Sequence, residues 1–321
     1  MEKVTLQIYS GGRIQEPVTL EGITWETSRK GEPSKLSFTV VKDDYLSFDE
    51  GKEVIFRYGD TNVFHGFIFQ KQRNKDHHIQ VTAYDQLRYL KNKTTYLFYG
   101  IRADQVVRRI AEDFKLKVGN LENTGFVIPK LDCPNQTLFD TILDAIDQTV
   151  MSTGKLFYLY DDFGKLTLKN ITSSKTDLLI NDTTAEDFDY TTSIDSNTYN
   201  RILLVTKSSN DGAGVPTIAQ DFKTQDRWGV LQYYEELQNG ENASAKAQAL
   251  LKMHNQVYRA LTIKNHIGDI RIRAGSGVYL DLNLGDMKAK QHMLVEKAKH
   301  TFDNGYHYMD LTLQGNEEFY G

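Results

Sequence analysis

Gly51-Lys52-Glu53-Val54-Ile55-Phe56, near the start of the chain, and Gly275-Ser276-Gly277-Val278-Tyr279-Leu280, near its end, open the same pattern. In each, a glycine stands three residues before a valine that begins a strand. The first copy runs on into a predicted strand at 63–72, a polar turn at 73–77 and an alternating strand at 78–84. The second runs into a strand at 291–301, the turn Asp303-Asn304-Gly305 and a returning strand at 306–313. Alternation of apolar and polar residues is the mark of half-buried strands. Two like β-modules so far apart point to duplicated barrels. Residues 1–95 and 186–321 should then superpose, with the Val54 and Val278 strands equivalent, and such duplication serves the building of symmetric rings.

Outward from the first copy, residues 1–95 hold six or seven short antiparallel strands, with Gly59-Asp60-Thr61-Asn62 as a hairpin turn. The texture changes after that. Ala103, Val106, Val107, Ile110 and Phe114 recur at helical spacing, and a second helix follows from Thr137, whose hydroxyl and Asp140 form a capping pair. A hairpin at 156–169 turns on Asp161-Asp162-Phe163-Gly164. From 186 strands return, interrupted by a helix at 243–254 with Asn242 as its N-cap. The predicted fold class is a β-rich α+β protein: a first, tube-like β-barrel at 1–95, a small α/β domain at 96–185, and a second, similar antiparallel β-barrel at 186–321 with the helix 243–254 inserted.

Length and composition agree with this. A chain of 321 residues exceeds one ordinary core, so two or three domains are expected. Aromatic residues reach 11%, with 18 Tyr and 16 Phe, which favours strands. Only five Pro occur and no linker-like stretch separates the parts, so the domains should pack together. The balance of 38 basic and 43 acidic residues, net −5, lacks the basic stripe of a dedicated nucleic-acid binder. One cysteine, Cys133, rules out an internal disulfide and a cysteine-based zinc site within the chain. The N-terminus has no signal-peptide pattern, and no apolar run approaches the roughly 20 residues that cross a bilayer. Synthesis and folding in the cytoplasm, with no membrane insertion, are expected.

A search for chemistry finds little. The eight histidines are scattered, with no His-x-x-x-His pair on a predicted helix. The acidic pairs Asp43-Asp44, Asp161-Asp162 and Glu235-Glu236 are adjacent in sequence, so on strands they face opposite ways and cannot flank one bond. They read as turn formers and solvated edges. Cys133 precedes Pro134 and has no histidine at motif spacing, and no Gly-x-Ser-x-Gly elbow is present. Gly275-Ser276-Gly277 leads into a strand, whereas a phosphate loop leads into a helix. No catalytic residue, metal site or cofactor is predicted. Trp25 and Trp228 read as core or interface anchors.

The stretch from Trp25 through Arg29 and Pro33-Ser34-Lys35 to Phe38 resembles the opening barrel of tail hub proteins from contractile phage tails, especially those of PBSX-like prophages. The 51–56 and 63–68 segments fit the same family's first barrel. Tyr199-Asn200-Arg201 is similar to its entry into the second barrel. Asp226-Arg227-Trp228-Gly229 resembles its Tyr-Gly-containing segment, and Ala245, Ala249, Leu250 and Leu251 match the helix that follows. The 268–275 stretch before Val278 completes the order. The family extends to late control protein D and the hub part of type VI secretion spike proteins.

The resemblance implies a structural tail hub protein and not an enzyme: a homotrimer whose two barrels per chain form a pseudo-sixfold ring joining the hexameric tail tube to the threefold central spike of a baseplate. Its implied partners are the tail tube protein, the central spike or spike adaptor, and other baseplate proteins, with no sequence-specific nucleic acid binding. Trp25, Arg29 and Trp228 are the candidate partner-interface anchors. The implied location is a virion or a phage-tail-like particle such as an R-type bacteriocin, encoded by a prophage and assembled in the host bacterial cytoplasm. Because the sequence ends after its second barrel, spike and cell-wall hydrolase are expected to be separate proteins. Two other readings of the residues stay open: a tail-tip peptidoglycan or carbohydrate hydrolase, which needs two carboxylates converging at roughly 5 to 9.5 Å, and a carbohydrate-binding β-protein using Trp25 or Trp228.

Overall fold

The computed structural model of the chain describes residues 2–20, 22–184, 187–195, 197–206, 214–237, 242–283 and 288–314. It is mostly antiparallel sheet with few helices. The N-terminal part is seven strands: β1 (Val4–Ser10), β2 (Arg13–Gln15), β3 (Ile23–Ser28), β4 (Lys35–Val41), β5 (Glu53–Tyr58), β6 (Thr61–Arg73) and β7 (His78–Tyr84). In β3 and β4 inward residues alternate strictly with outward ones, so that Leu36, Phe38 and Val40 of β4 are buried. These side chains join Ile8, Val54, Phe56, Phe64 and Val81 in one core.

The next stretch alternates helix and strand. It runs through β8 (Lys93–Ile101), α1 (Ala103–Asp113), β9 (Val118–Leu121), β10 (Ile128–Thr137), α2 (Leu138–Thr153), β11 (Phe157–Asp161) and β12 (Leu166–Asn170). The Thr137 side chain accepts from the Asp140 N–H at 3.1 Å, so the cap read from sequence starts α2. Gly154, in the left-handed region, ends it. β8 and β10 form a two-stranded ribbon, and β11, β12 and β9 form a small sheet.

Strands β13 (Lys175–Asn181) and β14 (Asp187–Ser193) lead to a compact unit of residues 190–260. It contains β15 (Arg201–Thr206), β16 (Val215–Gln220), α3 (Phe222–Trp228), β17 (Gln232–Leu237) and α4 (Ala243–His254). The helix at 243–254, capped by Asn242, thus comes with three strands and a further helix. α4 packs on β15 and β16, where Ile202, Leu204 and Ala219 are buried. The other compact unit is 1–189 with 261–321. Its last strands are β18 (Tyr258–Ile267), β19 (Gly277–Asn283), β20 (Lys288–Asp303) and β21 (Tyr306–Gln314).

The strand order β14-β18-β21-β20-β3-β4-β7-β6-β5-β1-β2 makes one continuous sheet, with β19 on β20 and β13 on β19. No pairing among the described residues closes it into a barrel, because β20 gives its first half to β19 and its second half to β3. Inside this sheet the two glycine stretches have the same register. The Gly51 N–H donates to the Ile68 carbonyl at 2.7 Å, and the Ile68 N–H donates to Lys52 at 2.9 Å. The Gly275 N–H donates to the Val295 carbonyl at 2.8 Å, and the Val295 N–H donates to Ser276 at 2.9 Å. Val54 lies opposite Gly66, and Val278 opposite Met293. Each long strand then carries a bulge one residue past that contact, between Ile68 and Gln70 in β6 and between Val295 and Lys297 in β20. Gly51 and Gly275 both have φ in the left-handed region, +79° and +92°, which only glycine adopts freely.

The central six strands explain why the sheet holds one register. Met309, His300, Trp25, Leu36, Ala83 and Ile68 form one cross-strand row, and every member is buried. The next row, Asp310, Lys299, Glu26, Lys35, Tyr84 and Phe67, faces the other way and alternates charge over its first four positions. A one-residue slip would bury the charged row and expose the apolar one.

Candidate functional site

The groups with the most unusual surroundings gather where β3 of the N-terminal part pairs with β20 of the C-terminal part. Trp25 stands at this joint, 3% exposed, with its Nε1–H donating to Ser34 Oγ at 2.8 Å. The Ser34 N–H donates to Asp85 Oδ2 at 3.1 Å, and the Leu87 N–H to Asp85 Oδ1 at 3.0 Å. Gln86 carries the network onward, its Nε2 donating to Asp161 Oδ2 at 2.9 Å. Burial, together with the facing Asp161, raises the Asp85 carboxyl well above its usual range, and burial raises Asp161 as well. Asp161, expected at a solvated hairpin edge, is therefore an interior group. Asp161 ends β11 and turns its side chain inward, where Gln86 and the Gly164 N–H satisfy its two oxygens, while Asp162 stays exposed at the tip.

Arg29 leaves the end of β3 and grips Glu296, the extra residue of the β20 bulge. Its Nε and Nη2 donate to the carboxylate at 2.7–2.9 Å, and the Arg29 N–H donates to the Glu296 carbonyl at 3.0 Å. The two side chains are 8% and 18% exposed, so this is a largely desolvated bidentate pair. Nearby, the Ala274 N–H donates to Thr27 Oγ1 at 2.9 Å. On the inner face, His300 Nδ1 lies 2.8 Å from His307 Nε2, and His300 Nε2 lies 2.9 Å from the Ile272 carbonyl. The carbonyl can only accept, so His300 carries its proton on Nε2 and His307 Nε2–H donates to His300 Nδ1. Burial keeps both imidazoles neutral at pH 7. Burial above all pushes His300 down to about 3 and His307 to about 4.

Of the three predicted anchors, Trp25 and Arg29 come together at this joint, both engaged within the chain. Trp228 belongs to the other unit, 190–260, where it ends α3, half-buried and with the Arg227 guanidinium 5.6 Å over its ring. Sequence reading found neither α3 nor the residues that answer Trp25 and Arg29. Ser34, Asp85, Glu296 and His300 carry no local pattern that marks them.

As chemistry, the arrangement binds strand to strand. The Asp85 and Asp161 oxygens are taken within the chain by backbone N–H groups and Gln86. Burial pushes the Cys133 thiol up to about 11, far from a reactive thiolate. Among the described residues, no three His, Cys, Asp or Glu side chains cluster as a metal site, and no helix is long and apolar enough to cross a membrane.

The model of a family described as YQBQ-like matches residues 23–314, nearly the whole chain. The chain belongs to the YQBQ-like family. It is 30% identical over 308 residues to the phage-like element PBSX protein XkdQ of Bacillus subtilis (strain 168), covering 93% of this chain and 91% of that one. Its fold matches that of the prophage MuSo2 43 kDa tail protein of Shewanella oneidensis, with a TM-score of 0.71 at 13% identity over 99% of both chains. The E. coli c3393 protein, a component of the type VI secretion system, matches with a TM-score of 0.55 at 11% identity, over 98% of this chain and 78% of that one. The YQBQ-like chain is thus similar in sequence to a protein of a phage-like element, and in fold to a prophage tail protein and to a type VI secretion component. The matched span begins at the first residue of β3 and ends at the last of β21, so it takes in the joint and both glycine registers.

Proposed function

We propose that the chain is a structural tail hub protein. Three copies form a ring, each contributing two like modules that curl as small barrels, so that threefold symmetry presents six near-equivalent faces. One side of the ring docks on the hexameric tail tube. The other accepts the threefold central spike or its adaptor, and further baseplate proteins surround it. The particle is a virion or a phage-tail-like bacteriocin encoded by a prophage and assembled in the bacterial cytoplasm, and the hub itself catalyses no reaction.

The observation that carries this reading is the shared register of the two glycine stretches, with the same pair of backbone hydrogen bonds and the same bulge. Two modules built to one plan within a chain are what a trimer needs to meet a sixfold partner. Open sheet edges, which a monomer would have to protect, are satisfied by neighbours in such a ring. Light scattering on the purified chain with its spike partner, followed by imaging of the particle, tests the proposal. A trimer located between tube and spike is expected. A monomer missing from every tail particle would sink it, as would cell-wall hydrolysis lost on replacing one carboxylate.

A further inference from the structure

Arg273 is held in an unusual way. Its guanidinium lies 4.2 Å from the centre of the Tyr160 ring and 5.8 Å from that of Trp25, fixed between two aromatic faces. Among the described residues, no carboxylate comes within 4.0 Å of it, and no acceptor takes its side-chain N–H groups. Its Nε is buried without a partner, an expensive arrangement for a charged donor. The guanidinium lines a cleft of about 310 Å³ in the unit formed by 1–189 and 261–321. Opposite each other on β11 and β12 are Tyr158 and Lys169, which therefore share a face with Tyr160. Lys169 lines the cleft too and has no acceptor among the described residues. Arg271 is different, since Asp269 and Asp177 already hold it. Asp162 is the one carboxylate in the lining.

We propose that this cleft is a binding site for a carboxylate ligand. The Arg273 fork takes the carboxylate in the paired geometry that guanidinium favours over ammonium. Lys169 supplies the second charge, and the stacked Tyr158 and Tyr160 rings, 5.1 Å apart, form an apolar wall for the carbon skeleton. The volume suits a small dicarboxylate or one Asp or Glu side chain of another polypeptide. The site stands on its own geometry, whether or not the chain is a hub.

The test is calorimetric titration of the full chain with three probes: succinate, N-acetyl-glutamate amide and inorganic phosphate. Saturable binding of succinate is expected, weakened at least tenfold by Arg273→Met and several-fold by Lys169→Met. Binding of N-acetyl-glutamate amide as well would assign the site to a partner's acidic side chain. Binding of succinate without it would assign a free dicarboxylate. Circular dichroism melts establish that each variant is folded. Should Arg273→Met fail to fold, Lys169→Met decides alone, because its ammonium has no acceptor among the described residues. No saturable binding of either carboxylate probe overturns the proposal, as does tighter binding of phosphate than succinate, or unchanged affinity in the folded variants.

Discussion

His300 and His307 face each other across β20 and β21, Nδ1 to Nε2 at 2.8 Å, as a neutral pair sealed between Trp25 and Phe302. Their ordinary value of 6.5 falls to about 3 and about 4 in the fold, chiefly through burial and, for His300, through the neighbouring His307. Asp269 opposes the shift of both, and Arg273 adds to that of His300. The unfolded chain thus binds more protons than the native one between pH 6.5 and these values. The stability they lend is complete above pH 6.5 and drains away as pH falls. About 2 kcal/mol per histidine, about 4 kcal/mol for the pair, should be lost between pH 7 and 5. Melting curves at pH 7.5, 6 and 5 check this, and His300→Phe should flatten the dependence. An unaltered pH slope in that variant would refute the assignment.

The bidentate pair of Arg29 and Glu296 joins residues 267 positions apart. Removing one partner leaves the other charge desolvated, so Glu296→Ala should cost about 3–5 kcal/mol, and Arg29→Met a similar amount. The double variant should recover part of that loss. A double-mutant cycle in urea measures the coupling, and additive losses would show that the pair contributes no specific interaction.

Gly51 and Gly275 share φ sign and hydrogen bonds but differ in surroundings. A Cβ at Gly51 meets open space, whereas one at Gly275 would lie 2.3 Å from the Tyr158 ring. Gly51→Ala should therefore cost about 1–2 kcal/mol, the left-handed backbone penalty alone. Gly275→Ala should cost clearly more. Equal losses in denaturant melts would contradict this.

What could be read from sequence was what the chain decides locally. Thr137 caps α2 through Asp140 three residues on, and Asn242 caps α4 in the same way, so residue type and spacing sufficed. The glycine stretches were legible because register recurs in both copies. The joint was not, because Arg29, Ser34 and Trp25 find their partners only after strands far apart in sequence are paired. Asp161 misled for the same reason: its hairpin is local, but the Gln86 that buries it is 75 residues away. α3 was hidden by its length of seven residues with no buried side chain, too few for a helical stripe to show.

The two tryptophans separate folding from assembly. Trp25 is enclosed, bonded to Ser34 and tilted against the His300 ring with centroids 5.0 Å apart, so Trp25→Ala should cost about 3–5 kcal/mol. Trp228 ends a helix whose side chains are all at least partly exposed, and its ring is covered on one side by Arg227. Trp228→Ala should change stability by no more than about 1 kcal/mol, within the range of surface substitutions that break nothing buried. If Trp228 anchors a baseplate partner, that variant will melt as the parent does yet be absent from purified particles. Incorporation at parental levels would remove Trp228 from the interface, and a large fall in melting temperature would make it a folding residue instead.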